Sequence, residues 1–190
     1  MKRTTAWAAL LGTMLCAQAN AQTIPAEDFA KRPEAWEVAL SPTGDYAAIA
    51  VPTVDGMETQ LQIVELATGK TQVLRFARQQ HVIDVIWTAD DQVVVSRAKM
   101  EPFKARPYAI GELMTSDIAG KNQEVLFGYI PDNGLTRGRR KDEGWSSIAK
   151  VLNNEPGMAL VDFTCWSCGD EPDTVIFKVD TRTGERKEIE

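Results

Sequence analysis

From Glu37 onward, apolar residues come in short runs broken by Gly, Pro, Asp and Asn, and none keeps helical spacing beyond a turn. Val38-Ala39-Leu40, Tyr46 to Val51, Val82 to Trp87, Val93-Val94-Val95, Ile148 to Leu152 and Met158 to Phe163 read as strands. Only residues 25–37 have room for a short helical turn. Val175, Phe177 and Val179 alternate with Ile176, Lys178 and Asp180, the period-two pattern of a half-buried outer strand.

The separators repeat. Glu65-Leu66-Ala67-Thr68-Gly69-Lys70 recurs as Asp117-Ile118-Ala119-Gly120-Lys121 and as Asp180-Thr181-Arg182-Thr183-Gly184-Glu185. Each places a Gly where a hairpin needs positive φ, and the middle copy is one residue shorter. Upstream of each lies a second turn: Ser41-Pro42-Thr43-Gly44, Thr88-Ala89-Asp90-Asp91 and Asn154-Glu155-Pro156-Gly157. Each unit therefore reads strand, tight turn, strand, longer loop, strand, tight turn, strand. The Gly turns lie 51 and then 64 residues apart.

Four antiparallel strands at this period predict propeller blades, placed at about 35–77, 81–128 and 145–190 after a lead-in over 22–34. The expected fold is all-β: a partial β-propeller of three four-stranded blades whose ring is not closed within the chain. A twelve-stranded sandwich would match the strand count but not the recurrence of the same two turns in the same order. The second strand of each unit, almost continuously apolar, is expected to be buried on both faces. Every long connection (52–59, 98–109, 128–145 and 165–168) falls at the same end of its unit, so that rim is the expected interaction face.

The first residues stand apart. Lys2 and Arg3, an apolar stretch over Ala6 to Leu15, and Ala19-Asn20-Ala21 have the order of an export signal, with cleavage expected between Ala21 and Gln22. The apolar stretch is too short to span a bilayer, and Thr13-Met14-Leu15 before Cys16 lacks the small residues of a lipobox. The expected mature protein is exported, to the periplasm or beyond, with no integral membrane segment. Cleavage moves the formal net charge from −6 to −8, because Lys2 and Arg3 leave and no acid does. That balance argues against nucleic acid as a partner. A composition 44% hydrophobic and 25% charged excludes a disordered chain.

Cys165 and Cys168 remain, in Cys-Trp-Ser-Cys. Zinc would need two more ligands, and the single histidine, His81, is distant in sequence. A redox pair should open a helix, whereas Gly169-Asp170-Glu171-Pro172 follows as turn chemistry. A structural disulfide pinning the loop is the expectation.

Other features read as structural. His81 is expected at a strand edge rather than as a general base. Arg137, Arg139, Arg140 and Lys141 precede Asp142 and Glu143, which suits a solvated loop. Trp36, Trp87 and Trp145 occupy non-equivalent places and are expected in the core. Asp84 interrupts an apolar strand and is either a satisfied buried carboxylate or outward-facing. Asp90, Asp91, Asp170 and Glu171 are turn acids before they are metal ligands.

The stretches Ile24-Pro25-Ala26-Glu27-Asp28-Phe29, Ser41-Pro42-Thr43-Gly44-Asp45-Tyr46, Ile86-Trp87-Thr88-Ala89-Asp90-Asp91 and Ile110-Gly111-Glu112-Leu113 through Gly120 resemble the propeller of bacterial prolyl oligopeptidase family members, of the dipeptidyl aminopeptidase/acylaminoacyl-peptidase-like kind. The resemblance spans 24–190. It implies a parent serine peptidase in which the propeller filters peptides on their way to a C-terminal α/β-hydrolase domain with a Ser-Asp-His triad. No catalytic residue carries over: Gly144-Trp145-Ser146-Ser147-Ile148 lacks the second glycine of a nucleophile elbow and precedes a strand. No catalytic, cofactor or metal residue is therefore assigned. The expected partners are the missing hydrolase domain or a ring-completing chain, and peptides. The alternatives are a stand-alone TolB-like periplasmic binding module and a non-functional truncated remnant.

Overall fold

The structure, a computed structural model, describes residues 33–76, 79–130, 141–168 and 173–189, together with Pro25, Asp28 and Lys31. The export signal with its Ala21–Gln22 junction, residues 26, 27, 29, 30 and 32 of the 25–37 stretch, Arg137, Arg139, Arg140, Asp170 and Glu171 lie outside the described residues. The chain divides into two units, Met1–Lys31 and Arg32–Glu190, and every described strand belongs to the second.

Among the described residues, twelve strands form three separate four-stranded antiparallel sheets, each a simple meander. The first holds β1 (Glu37–Leu40), β2 (Tyr46–Pro52), β3 (Thr59–Glu65) and β4 (Thr71–Leu74). The second holds β5 (His81–Ala89), β6 (Gln92–Lys99), β7 (Tyr108–Asp117) and β8 (Glu124–Phe127). The third holds β9 (Gly144–Val151), β10 (Met158–Cys165), β11 (Thr174–Asp180) and β12 (Arg186–Ile189). No sheet closes on itself; the architecture is a partial, propeller-like all-β fold.

The period-two rule sorts each sheet into faces. Ala48, Ala50, Leu61, Ile63 and Leu74 of the first sheet pack against Val82, Trp87, Val93, Val95 and Met114 of the second. From the opposite face of the second sheet, Val94, Leu113 and Phe127 pack against Val161, Val179, Phe163 and Phe177 of the third. Burial on both faces, expected of every second strand, holds for β6, where only Lys99 is exposed. β2 and β10 mix buried with partly buried positions, because each belongs to a sheet covered on one face only.

The Gly turns close as hairpins with φ of 71°, 72° and 67° at Gly69, Gly120 and Gly184. In the longer copies the Gly69 and Gly184 amides donate to Glu65 O and Asp180 O, four residues back. In the shorter middle copy, Gly120 donates to Asp117 O, three back. The Ser41 turn is closed by Gly44 N donating to Ser41 O at 2.9 Å. Thr88 and Ala89, read from sequence as turn residues, belong to β5; the turn is Asp90-Asp91 alone. A bulge between Trp87 and Ala89 absorbs the difference.

At this tight-turn rim the sheets are fastened to one another. Asp90 Oδ1 accepts from Thr43 N at 2.9 Å and Thr43 Oγ1 at 2.8 Å, joining the first sheet to the second. Arg182 pairs with Asp91 Oδ1 at 2.5 Å and donates to Pro156 O at 2.8 Å. Beneath it, a buried polar cluster joins the second sheet to the third. Gln92 Nε2 and Thr115 Oγ1 both donate to Thr181 O, and Thr181 Oγ1 lies 2.8 Å from both Thr88 Oγ1 and Gly157 O.

Candidate functional site

The opposite rim carries the loops β2–β3 (53–58), β6–β7 (100–107) and β10–β11 (166–173), with the links between sheets. The links and loops meet there: Thr59 N donates to Gln80 O, Gln79 N to Glu58 Oε1, and Trp166 N to Glu143 O.

Each of the three equivalent loops lifts an apolar side chain into solvent. In the first, Asp55 Oδ1 accepts from Thr53 Oγ1 at 2.5 Å and Met57 N at 3.0 Å, folding the loop on itself. Val54 is left fully exposed and Met57 half exposed. In the second, Lys104 N donates to Glu101 O, and Tyr108 Oη donates to Glu101 Oε1 at 2.9 Å. That bond raises the Tyr108 phenol above its ordinary pKa. Phe103, at φ 68° and fully exposed, occupies a backbone region that bulky side chains avoid. In the third, Trp166 stands 53% exposed, edge-on to Tyr129 with ring centroids 4.7 Å apart. The structure joins Cys165 to Cys168 at the base of this loop, with Cα atoms 5.6 Å apart. Among the described residues the strongly exposed aromatics are Phe103, Tyr108, Trp145 and Trp166, and all four stand at this rim.

The rim has a buried charged foundation. Glu112, with no exposed surface, faces its cross-strand partner Arg97, which is 1% exposed; Arg97 Nη1 donates to Glu112 Oε2 at 2.5 Å. Glu112 Oε1 accepts from the amides of Tyr129 and Ile130, each at 2.6 Å. A buried strand carboxylate thus holds the first residues of the β8–β9 link. Burial, and then the Glu112 charge, raise the Tyr129 phenol above its ordinary pKa. Asp142 closes the base of the same link: its amide donates to Gly128 O, and Gly128 N donates to Asp142 Oδ2. Arg186 clamps Asp142 through both guanidinium nitrogens and lies 4.2 Å over the Phe127 ring. Sequence reading located this rim by loop length but singled out neither its apolar tips nor the Arg97–Glu112 pair. Opposite charges inside adjacent, otherwise apolar strands were the available signal.

The remaining sequence candidates are placed as follows in the sheets. His81 opens β5, an edge strand of the second sheet, where it is buried with its Nδ1 3.0 Å from Thr59 Oγ1. Burial lowers its pKa, against the opposing charge of Glu58. Ser146, in the strand that lacks an elbow, is buried and donates to Gly111 O at 2.8 Å. Trp87 is in the core and Trp36 packs against it; Trp145 is not, standing 43% exposed where Gly111, at φ 79°, leaves room for its ring. Asp84 faces outward at φ 52°, in a bulge. Among the described residues no group of His, Cys, Asp and Glu could hold a metal ion, and no helix is long and apolar enough to cross a membrane. A cleft of about 200 Å³, lined by Tyr46, Ile63, Lys70 and Ile118, lies at the tight-turn rim. It is smaller than the ~300–1,000 Å³ typical of small-molecule sites.

These features define a propeller-like β protein with one stapled rim and one apolar-tipped rim. No protein-family model matches the chain, and no curated protein matches it. Among solved structures it is similar to a "putative conserved lipoprotein" from Clostridium novyi NT, at 12% identity over 84% of this chain and 88% of that one, with a TM-score of 0.46. That likeness is distant, and the fold stands on the three sheets themselves.

Proposed function

We propose that this chain is an exported, non-catalytic propeller segment that presents its loop rim to a second protein body. In the prolyl-oligopeptidase-like arrangement, that body is an α/β-hydrolase domain and the segment filters the peptides that reach it. The observation that carries the reading is the repetition of exposed apolar tips (Val54, Phe103 and Trp166) on three equivalent loops. Exposed aromatics gathered on one face suit a protein contact better than a solvated edge. Export is supported by the order of charged, apolar and small residues over 1–21.

The test is an immunoblot of the source organism's envelope fraction with an antibody to this chain, after labelling with a fluorophosphonate serine-hydrolase probe. A band well above 21.0 kDa carrying both antibody and probe is expected. A probe-free band near 21.0 kDa that co-sediments with no hydrolase would overturn the peptidase reading and leave the TolB-like binding module, which uses the same rim.

A further inference from the structure

The bond between Cys165 and Cys168 closes a ring around Trp166 and Ser167 at the base of the β10–β11 loop. It fastens no sheet to another, and neither cysteine belongs to a core cluster. Loop-closure entropy grows with the length of chain enclosed, so a ring this short is at the small end of what a disulfide contributes. What the ring does hold is Trp166. The Trp166 amide donates to Glu143 O at 2.9 Å, Ser167 Oγ donates to Glu143 Oε2 at 3.2 Å, and the Trp166 ring stands edge-on to Tyr129. Cys165 is fixed at the end of β10, opposite Gly144 and with its amide on Asp173 O. The bond to Cys168 draws the far side of the ring back onto that fixed point.

The two cysteines differ in access: Cys165 is 8% exposed, whereas Cys168 is exposed. A thiolate arriving from solvent therefore meets Cys168. The charged group bound to the ring is a carboxylate, Glu143, which disfavours a thiolate, so the pair is arranged to be acted on rather than to attack. We propose that Cys165–Cys168 is an exchangeable bond, reduced by an external dithiol, and that reduction releases Trp166 from Glu143 and Tyr129. One thiolate of the dithiol attacks Cys168 Sγ, the S–S bond breaks, and Cys165 leaves as a thiolate. The second thiolate of the dithiol then closes onto the first, expelling Cys168. The dithiol is oxidised to its own disulfide, the chain is reduced to two thiols, and the dithiol's two protons end on Cys165 and Cys168. Trp166 is one of the exposed tips of the loop rim, so the redox state sets how that tip is presented. Only this consequence rests on the contact reading above, and the test involves no partner.

Dithiothreitol, applied to the purified oxidised chain without denaturant, is the probe; maleimide tagging read by peptide mass and hydrogen exchange are the measurements. On reduction, Cys168 and then Cys165 should gain a tag. The Trp166 amide should exchange about tenfold or more faster, while the amides of β10 keep their protection. Replacing both cysteines, Cys165→Ser with Cys168→Ser, should reproduce the faster exchange with no reductant present. A bond that resists dithiothreitol until urea is added would overturn the proposal and make the disulfide a permanent staple. A Trp166 amide equally protected in both redox states would overturn it too, because the bond would not control the tip. So would a loss of protection that spreads through β10, which would make the bond a support of the sheet.

Discussion

Replacing Glu112 by Gln is the sharpest probe of the loop rim's foundation. The change is nearly isosteric, so packing around β7 is preserved and only hydrogen bonding and charge alter. Glu112 serves Arg97 with one oxygen and the amides of Tyr129 and Ile130 with the other. Glutamine has one acceptor oxygen and one donor NH₂. If the oxygen stays with the two amides, NH₂ faces the Arg97 guanidinium, donor against donor in a site with no exposed surface. If it turns to Arg97, both amides lose their acceptor. Breaking a buried pair by removing one charge costs about 3–5 kcal/mol, and the shape-preserving change belongs near the lower end, about 3 kcal/mol. Against the ~5–15 kcal/mol of a typical domain this is a large fraction, worth roughly 6–12 °C in Tm. Urea unfolding followed by fluorescence of buried Trp87 measures the total. Hydrogen exchange at Tyr129 and Ile130 locates it, because those amides should lose protection before the β6 strand does. A loss under about 1 kcal/mol with both amides still protected would refute the reasoning, since Glu112 would then not anchor the link.

The interior and the third loop carry two further predictions. The His81 imidazole is held below its ordinary pKa by burial, so in acid the unfolded chain takes up the proton first. Its contribution is intact above the ordinary value of about 6.5 and is lost as pH falls below it; urea midpoints should fall less between pH 7.5 and 5.5 in His81→Asn than in the parent, and equal slopes would refute this. Chain recovered from an oxidising compartment should carry the Cys165–Cys168 bond, which intact mass before and after reduction reads directly. Loop-closure entropy for so short a ring gives it about 2 kcal/mol, so reduction should lower the urea midpoint without unfolding the chain.

The parts of the fold set by local chemistry were legible in the residues. The three Gly turns reach positive φ as expected, and the missing residue in the middle copy appears as a shorter hydrogen-bonded ring. The parts set by register were not. The bulge near Trp87 drew Thr88 and Ala89 into β5, and the pairing of Arg97 with Glu112 depends on which residues face one another across β6 and β7. Asp90 and Asp91 read correctly as turn acids, but their partners, Thr43 and Arg182, lie 47 and 91 residues away. Only the packing of one sheet on the next brings them together.

The contrast between the two rims has a physical basis in the same register. At the tight rim, backbone and side-chain bonds cross from sheet to sheet, so the turns there hold the sheets together. At the loop rim the ties are to the bases of the connections: Glu112 to the start of the β8–β9 link, Asp142 to its close, and Glu143 to Trp166 N. On the β2–β3 and β6–β7 loops, Val54 and Phe103 stand wholly in solvent. Phe103 holds an unfavourable positive φ with its ring exposed, a conformation that gains nothing from the interior of this chain. A side chain already held in an exposed position has little further freedom to lose when a partner covers it.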